Sequence, residues 1–180
     1  TDGHRLAVSE YRPENPDDLL GLKIETGVVL PKKALSDLKR LSEGEGEAGI
    51  GVRGNHFVFS RGSEILMGRL LEGDYPDYRA VIPSDIKASM IVQKSVFLSI
   101  LKRISIFTSD NFKAVNATVT AESIRLHIKN PDIGESQEEY MASYDGEPFE
   151  TAFNPRYLID ALNVMKSMAV KIWLEKDKRA

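Results

Sequence analysis

The sequence predicts an α+β protein of repeated β-α-β-β-β units, with helices on one face and antiparallel sheets on the other. Three observations predict it. A short amphipathic helix recurs three times at a spacing of about sixty residues, with Leu38, Leu101 and Leu162 in the same place in each copy. A short β-prone run precedes each helix, and three such runs follow each of the first two. Glycine turns, Gly54-Asn55-His56 and Gly62-Ser63 among them, separate the runs.

The elements follow in order. Asp2-Gly3 has the make-up of a tight hairpin turn, so residues 1–8 are expected to turn and then enter a strand. Residues 12–18, with Pro13 and Pro16, form a loop, and residues 22–30 form a strand. Pro31 sits where the first turn of a helix tolerates proline, and that helix runs over residues 31–41. An acidic glycine-rich link, 42–47, leads to strands over 49–52, 57–61 and 64–71. Residues 73–84, containing Tyr75-Pro76-Asp77-Tyr78, lack either periodicity and mark the domain boundary, giving domains 1–83 and 84–180. The second copy comprises a strand over 86–92, a helix over 94–104, and strands over 113–120, 123–130 and 138–144. A third copy begins with a strand over 149–154, a helix over 155–165 and a strand over 170–175. A hairpin turn needs a strand before it, and the third copy holds two of its four strands. The sequence is therefore expected to be an internal stretch of a longer protein.

Composition narrows the function classes. Hydrophobic residues make up 42% of 180, enough to bury a core. Lys and Arg number 24 against 27 Asp and Glu, a net charge of −3, so any contact with nucleic acid has to come from local basic clustering. The absence of cysteine excludes a disulfide framework and a thiolate zinc site. No spaced set of metal ligands and no phosphate-binding glycine loop occurs, and no cofactor is expected. Neither a long apolar run nor a basic-then-apolar leader is visible, which makes the cytoplasm the expected location.

The helices carry the functional signal. In the first, Ala34, Leu35, Leu38 and Leu41 are spaced to face inward, leaving Lys33 and Arg40 outward with Lys32 and Lys39 on the flanks. The second repeats this, with Phe97, Leu98, Leu101 and Ile104 inward and Lys102 and Arg103 outward. The third buries Leu158, Ile159, Leu162 and Met165 and presents Arg156, with Asp160 and Asn163, and Lys166 near the edge. A solvated face explains any one of these helices. Side by side, they would form a basic stripe suited to phosphates and indifferent to base sequence. Ile106 and Phe107 continue past the buried stripe of the second helix, which points either to an interface or to packing under the loop at 108–112.

Several blocks resemble the bacterial sliding clamp family, the beta subunit of DNA polymerase III. They are Thr1-Asp2-Gly3-His4-Arg5-Leu6-Ala7, Pro31-Lys32-Lys33, Tyr75-Pro76-Asp77-Tyr78-Arg79 with Val81 and Pro83, Asn130-Pro131, and Phe153-Asn154 followed by Tyr157-Leu158 and Ala161-Leu162. The resemblance implies the DNA-clamp fold: three domains per chain and a head-to-tail homodimeric ring in the full-length protein, helices lining the hole. Residues 1–83 would be the second half of the middle domain and 84–180 most of the last one. The implied function is a non-catalytic processivity factor that encircles double-stranded DNA and tethers the replicative polymerase. By the same resemblance Lys32, Lys33, Lys39, Arg40, Lys102, Arg103, Arg156 and Lys166 face DNA. Thr1, Gly3, His4, Arg5, Leu6, Pro76 and Val81 belong to a cleft for short peptide motifs of the polymerase and the clamp loader. Ile106 and Phe107 match a subunit contact. Ala80 departs from family members that carry a basic residue there.

Two other readings compete. Asp2, His4 and Arg5 near one turn could serve acid-base chemistry in a small α+β enzyme, but no second carboxylate and histidine group accompanies them. A repeat-built protein-interaction module that never touches DNA shares every element of the fold.

Overall fold

The computed structural model describes residues 1–15, 27–84 and 87–174. The chain opens on the Asp2-Gly3 turn, with Gly3 at φ +82°, a left-handed conformation that favours glycine. The Asp2 carboxylate accepts the backbone N–H groups of His4 and Arg5, both at 3.1 Å, and the Asp2 N–H donates to the Arg5 carbonyl. The strand expected after this turn does not form. A carboxylate that satisfies the backbone locally competes with ladder pairing, and residues 5–10 remain irregular.

Two compact units make up the chain. One is Val8–Arg79; the other joins Ala80–Ala180 to Thr1–Ala7. Within the first unit, the strand expected over 22–30 falls partly outside the described residues, and Gly27 to Leu30 carry no strand. Helix α1 spans Lys32–Ser42 with Pro31 as its N-cap, one residue before the position expected for the proline. It lies on a three-stranded antiparallel sheet of β1 (Gly49–Arg53), β2 (His56–Arg61) and β3 (Glu64–Arg69), in that order. Phe57 and Phe59 are the buried residues of this sheet. Ala34, Leu38 and Leu41 are half-buried, but Leu35, expected inward, is 48% exposed. Three strands cover only part of an apolar stripe this wide, and Leu35 lies on its uncovered margin.

The second unit interlocks the second and third copies. Strand β4 (Ser89–Gln93) leads into helix α2 (Lys94–Ser105), followed by β5 (Val115–Val119), β6 (Ser123–Asn130) and β7 (Gly134–Met141). Strand β8 (Phe149–Phe153), helix α3 (Pro155–Val164) and β9 (Ala169–Trp173) complete the unit. Sequence spacing sets β8 and β9 apart as a new copy, yet β8 pairs with β5 in the sheet β7-β6-β5-β8, and β9 pairs with β4. Each copy's leading strand thus pairs with the strand that follows the other copy's helix, and α2 packs against α3. All strand pairings among the described residues are antiparallel.

The core of this unit is Met90, Val92, Phe97, Ile100, Leu101, Ile104, the inward residues of β5 and β6, Tyr144, Phe149 and Leu162. Ile100 joins the stripe of α2 that the spacing had assigned to its neighbours. Two expectations shift. Strand β7 begins at Gly134, not at residue 138, because Gly134 at φ +128° closes a short turn onto Asn130. Its polar run Gly134-Glu135-Ser136-Gln137 lies on an edge strand, where apolar alternation is not required. Met165, expected inward, is 41% exposed, since α3 ends at Val164 and the chain turns extended. Buried Asn130 donates to the Phe107 carbonyl (2.9 Å) and accepts from the Asp132 N–H (3.1 Å), tying the end of α2 to the β6–β7 turn. No helix among the described residues is long and apolar enough to cross a membrane.

Candidate functional site

Within the second unit, a predominantly apolar cavity of about 500 Å³ opens between the strands and α3. Phe97 of α2, Phe149 and Phe153 of β8, and Tyr157, Leu158 and Ala161 of α3 line it, and His4, Arg5 and Leu6 form one wall. Asn154, the N-cap of α3, also borders it, its side chain accepting the Arg156 N–H at 3.0 Å. Such a cavity suits a ligand with large apolar groups, oriented by a few polar ones.

Of the residues the resemblance assigns to a cleft, His4, Arg5 and Leu6 line this cavity. Thr1 and Gly3 sit in the adjoining turn, where the Gly3 N–H donates to Thr1 Oγ1. Pro76 belongs to the other unit, and Val81, 69% exposed, ends a short 3-10 turn over Tyr78–Val81; neither is among the lining residues. The sequence reading missed Phe153, Asn154, Tyr157 and Leu158 as lining. Their signal was the block Phe153-Asn154 and Tyr157-Leu158, which served as evidence of likeness; of the four, only Leu158 was given a place, on the buried face of the third helix.

Arg5 anchors the wall. It forms ion pairs with Asp160 of α3 and with Asp2, and its guanidinium lies 4.9 Å from the Tyr157 ring centroid. Its pKa is raised, chiefly by the hydrogen bond to Asp160. Asp2 is held below its ordinary 3.8, chiefly by the His4 N–H. These bonds engage two of the three groups that an enzyme built on Asp2, His4 and Arg5 would use. A depressed folded-state pKa contributes stability above the unfolded value and loses it as pH falls through the folded one. The turn is therefore expected to hold at neutral pH and to loosen on acidification below 3.8. NMR shifts of the His4 and Arg5 amides should report this, and Asp2→Asn should remove the acid transition. Amides that stay unmoved down to about pH 2 would contradict it.

The helix cations fall into two groups. Lys32, Lys33 and Lys39 of α1, Lys102 of α2, Arg156 of α3 and Lys166 beyond it are exposed and form no ion pair with a described residue. Arg40 pairs with Asp37 at 3.6 Å, and Arg103 grips Glu138 of β7 through two bonds of 2.7 Å. Glu138 is pulled below its ordinary value and Arg103 raised above its own by that shared bond. Ile106 is 68% exposed, whereas Phe107 is half-buried beside Gly134.

A repeat-built antiparallel scaffold with exposed cations on its helices and an apolar cavity among the described residues defines a modular α+β protein. The chain belongs to the DNA polymerase III beta subunit family, the bacterial beta sliding clamps: residues 1–77 match the family's central domain and residues 79–179 its C-terminal domain. The beta sliding clamp of Caulobacter vibrioides is 34% identical over 161 residues, 89% of this chain and 42% of that protein. That of Bacillus subtilis is 30% identical over 176 residues, 96% of this chain and 45% of that protein. The crystal structure of a sliding clamp from Bartonella birtlesii bound to griselimycin superposes with a TM-score of 0.83 at 34% identity, over 97% of this chain and 46% of that one. The beta subunit from Pseudomonas aeruginosa gives 0.77 at 26% identity, over 82% and 41%. The chain spans just under half the length of these relatives.

Proposed function

We propose that this chain works as part of a ring-forming sliding clamp, a cytoplasmic processivity factor that encircles duplex DNA and holds the replicative polymerase on it without catalysing a reaction. The observation that carries this reading is that Lys32, Lys33 and Lys39 on α1, and Lys102 on α2, are each exposed and pair with no described carboxylate, in a chain that is acidic as a whole. Long cations without base-reading amides beside them give salt-sensitive, sequence-independent attraction, which lets a ring slide. Arg156 and Lys166 extend the set. Arg40 and Arg103 contribute less, because each already neutralises a carboxylate.

Residues 1–83 would then be the second half of a middle domain and 84–180 a last domain, with Ile106 and Phe107 in the contact between the two subunits of a homodimer. The cavity beside His4, Arg5 and Leu6 would take short apolar peptide segments of the polymerase and the clamp loader, and Thr1, Gly3 and Val81 of the same unit would extend that cleft. Tethering converts each dissociation of the polymerase into local rebinding at high effective concentration. Leu6→Glu tests the cleft, since it places a charge against an apolar wall. Its affinity for a polymerase-tail peptide or for griselimycin, followed by calorimetry, should fall by about tenfold or more, the cost of burying a charge without a partner. Unchanged affinity for both would remove Leu6 and this cavity from the function.

A further inference from the structure

Among the described residues, segment 1–7 makes no strand pairing, and its hydrogen bonds are internal except one: Arg5 to Asp160, 155 positions away. Asp160 has a nearer candidate. Arg156 stands four residues before it on α3, the spacing at which helical ion pairs form, yet the carboxylate takes Arg5. Tyr157, three residues before Asp160, shares its face of the helix, so the guanidinium is held by the carboxylate and laid over the ring together. Tyr157, Arg5 and the flanking His4 and Leu6 all line the cavity; Asp160 does not. Asp160 thus acts on the cavity only through Arg5.

We propose that Asp160 is a positioning residue of the cleft: by seating Arg5 across Tyr157, it holds the His4–Leu6 wall against α3 and thereby sets the affinity for the apolar peptide. This role rests on the cleft reading above. The pair is exposed at 42% and 59% of its side chains, so its effect is graded and salt-sensitive, unlike that of a buried pair.

The test uses Asp160→Asn and Asp160→Glu in the whole chain, with griselimycin as the probe and two readouts. NMR signals of the Arg5 side-chain methylenes, shifted by the Tyr157 ring, report the seat in the free protein. Calorimetry at roughly 50 and 500 mM salt reports binding. The Asn variant should move the Arg5 signals toward random-coil positions, raise Kd about two- to fivefold at low salt, and flatten its salt dependence. The Glu variant should restore all three. Wild-type binding with Arg5 signals and Kd unmoved in Asp160→Asn would overturn the positioning role and leave the cleft standing. Shifted Arg5 signals with unchanged Kd would show a seat that serves the fold alone, also overturning the proposal. A wild-type chain that does not bind griselimycin would instead sink the cleft reading, and the role of Asp160 with it.

Discussion

On the clamp reading proposed above, reversing Lys32, Lys33 and Lys102 to glutamate, in a polypeptide of the relatives' full length carrying this sequence, should weaken retention on linear duplex DNA most at low salt and flatten its salt dependence. Each lysine lost from a phosphate contact lowers the slope of log affinity against log salt by about 0.9, so three lower it by nearly three, before the added repulsion counts. The three are exposed and pair with no described carboxylate, so reversal breaks no ion pair within the fold. Reversing Arg103 is the control. It lies on the same helix as Lys102 but is tied to Glu138 by two bonds, so its reversal should weaken DNA retention less and thermal stability more. Retention assays at stepped salt would decide. Equal retention by the triple variant and the wild type would remove DNA from the account and favour a protein-interaction module.

Replacing Phe97 by alanine should produce the largest loss of stability, about 3 to 5 kcal/mol. The ring is 1% exposed on α2 and meets Tyr140 edge-on at 5.5 Å, a contact that adds about 0.5 to 1.5 kcal/mol beyond burial. It also borders the 500 Å³ cavity, so the space left by the ring joins an existing void and the surroundings have little reason to close over it. Phe97→Leu, which keeps most of the volume, should cost less than half as much. Urea denaturation followed by tryptophan fluorescence of Trp173 in β9 measures both. A loss below about 1 kcal/mol for the alanine variant would show that Phe97 does not anchor the core.

Where local periodicity and burial coincide, the sequence was sufficient to locate an element. Strand β6 has the span its alternation predicted, because Ile124, Leu126 and Ile128 face the core while Arg125, His127 and Lys129 face water. Helix α2 was legible for the same reason at the helical period. Strand β7 was displaced because an edge strand carries polar residues on both faces. Leu35 and Met165 were misassigned because periodicity tells which residues share a face, not how far the neighbouring layer extends over it. The cleft was half visible. His4, Arg5 and Leu6 were assigned to a cleft only through the resemblance carried by residues 1–7, while the other lining residues on β8 and α3 lie roughly 150 positions further along the chain.

By itself, the order of residues determined the repeated helices, the glycine turns, the cationic outer faces and the family to which the chain belongs, since each is written in local spacing or in contiguous blocks. Only tertiary packing decided that the second and third copies exchange strands, that Glu138 takes Arg103, and that Asp160 takes Arg5 in preference to Arg156. Strand partners and ion pairs are chosen among groups far apart in sequence, and the choice depends on which of them the buried core brings within a few ångströms.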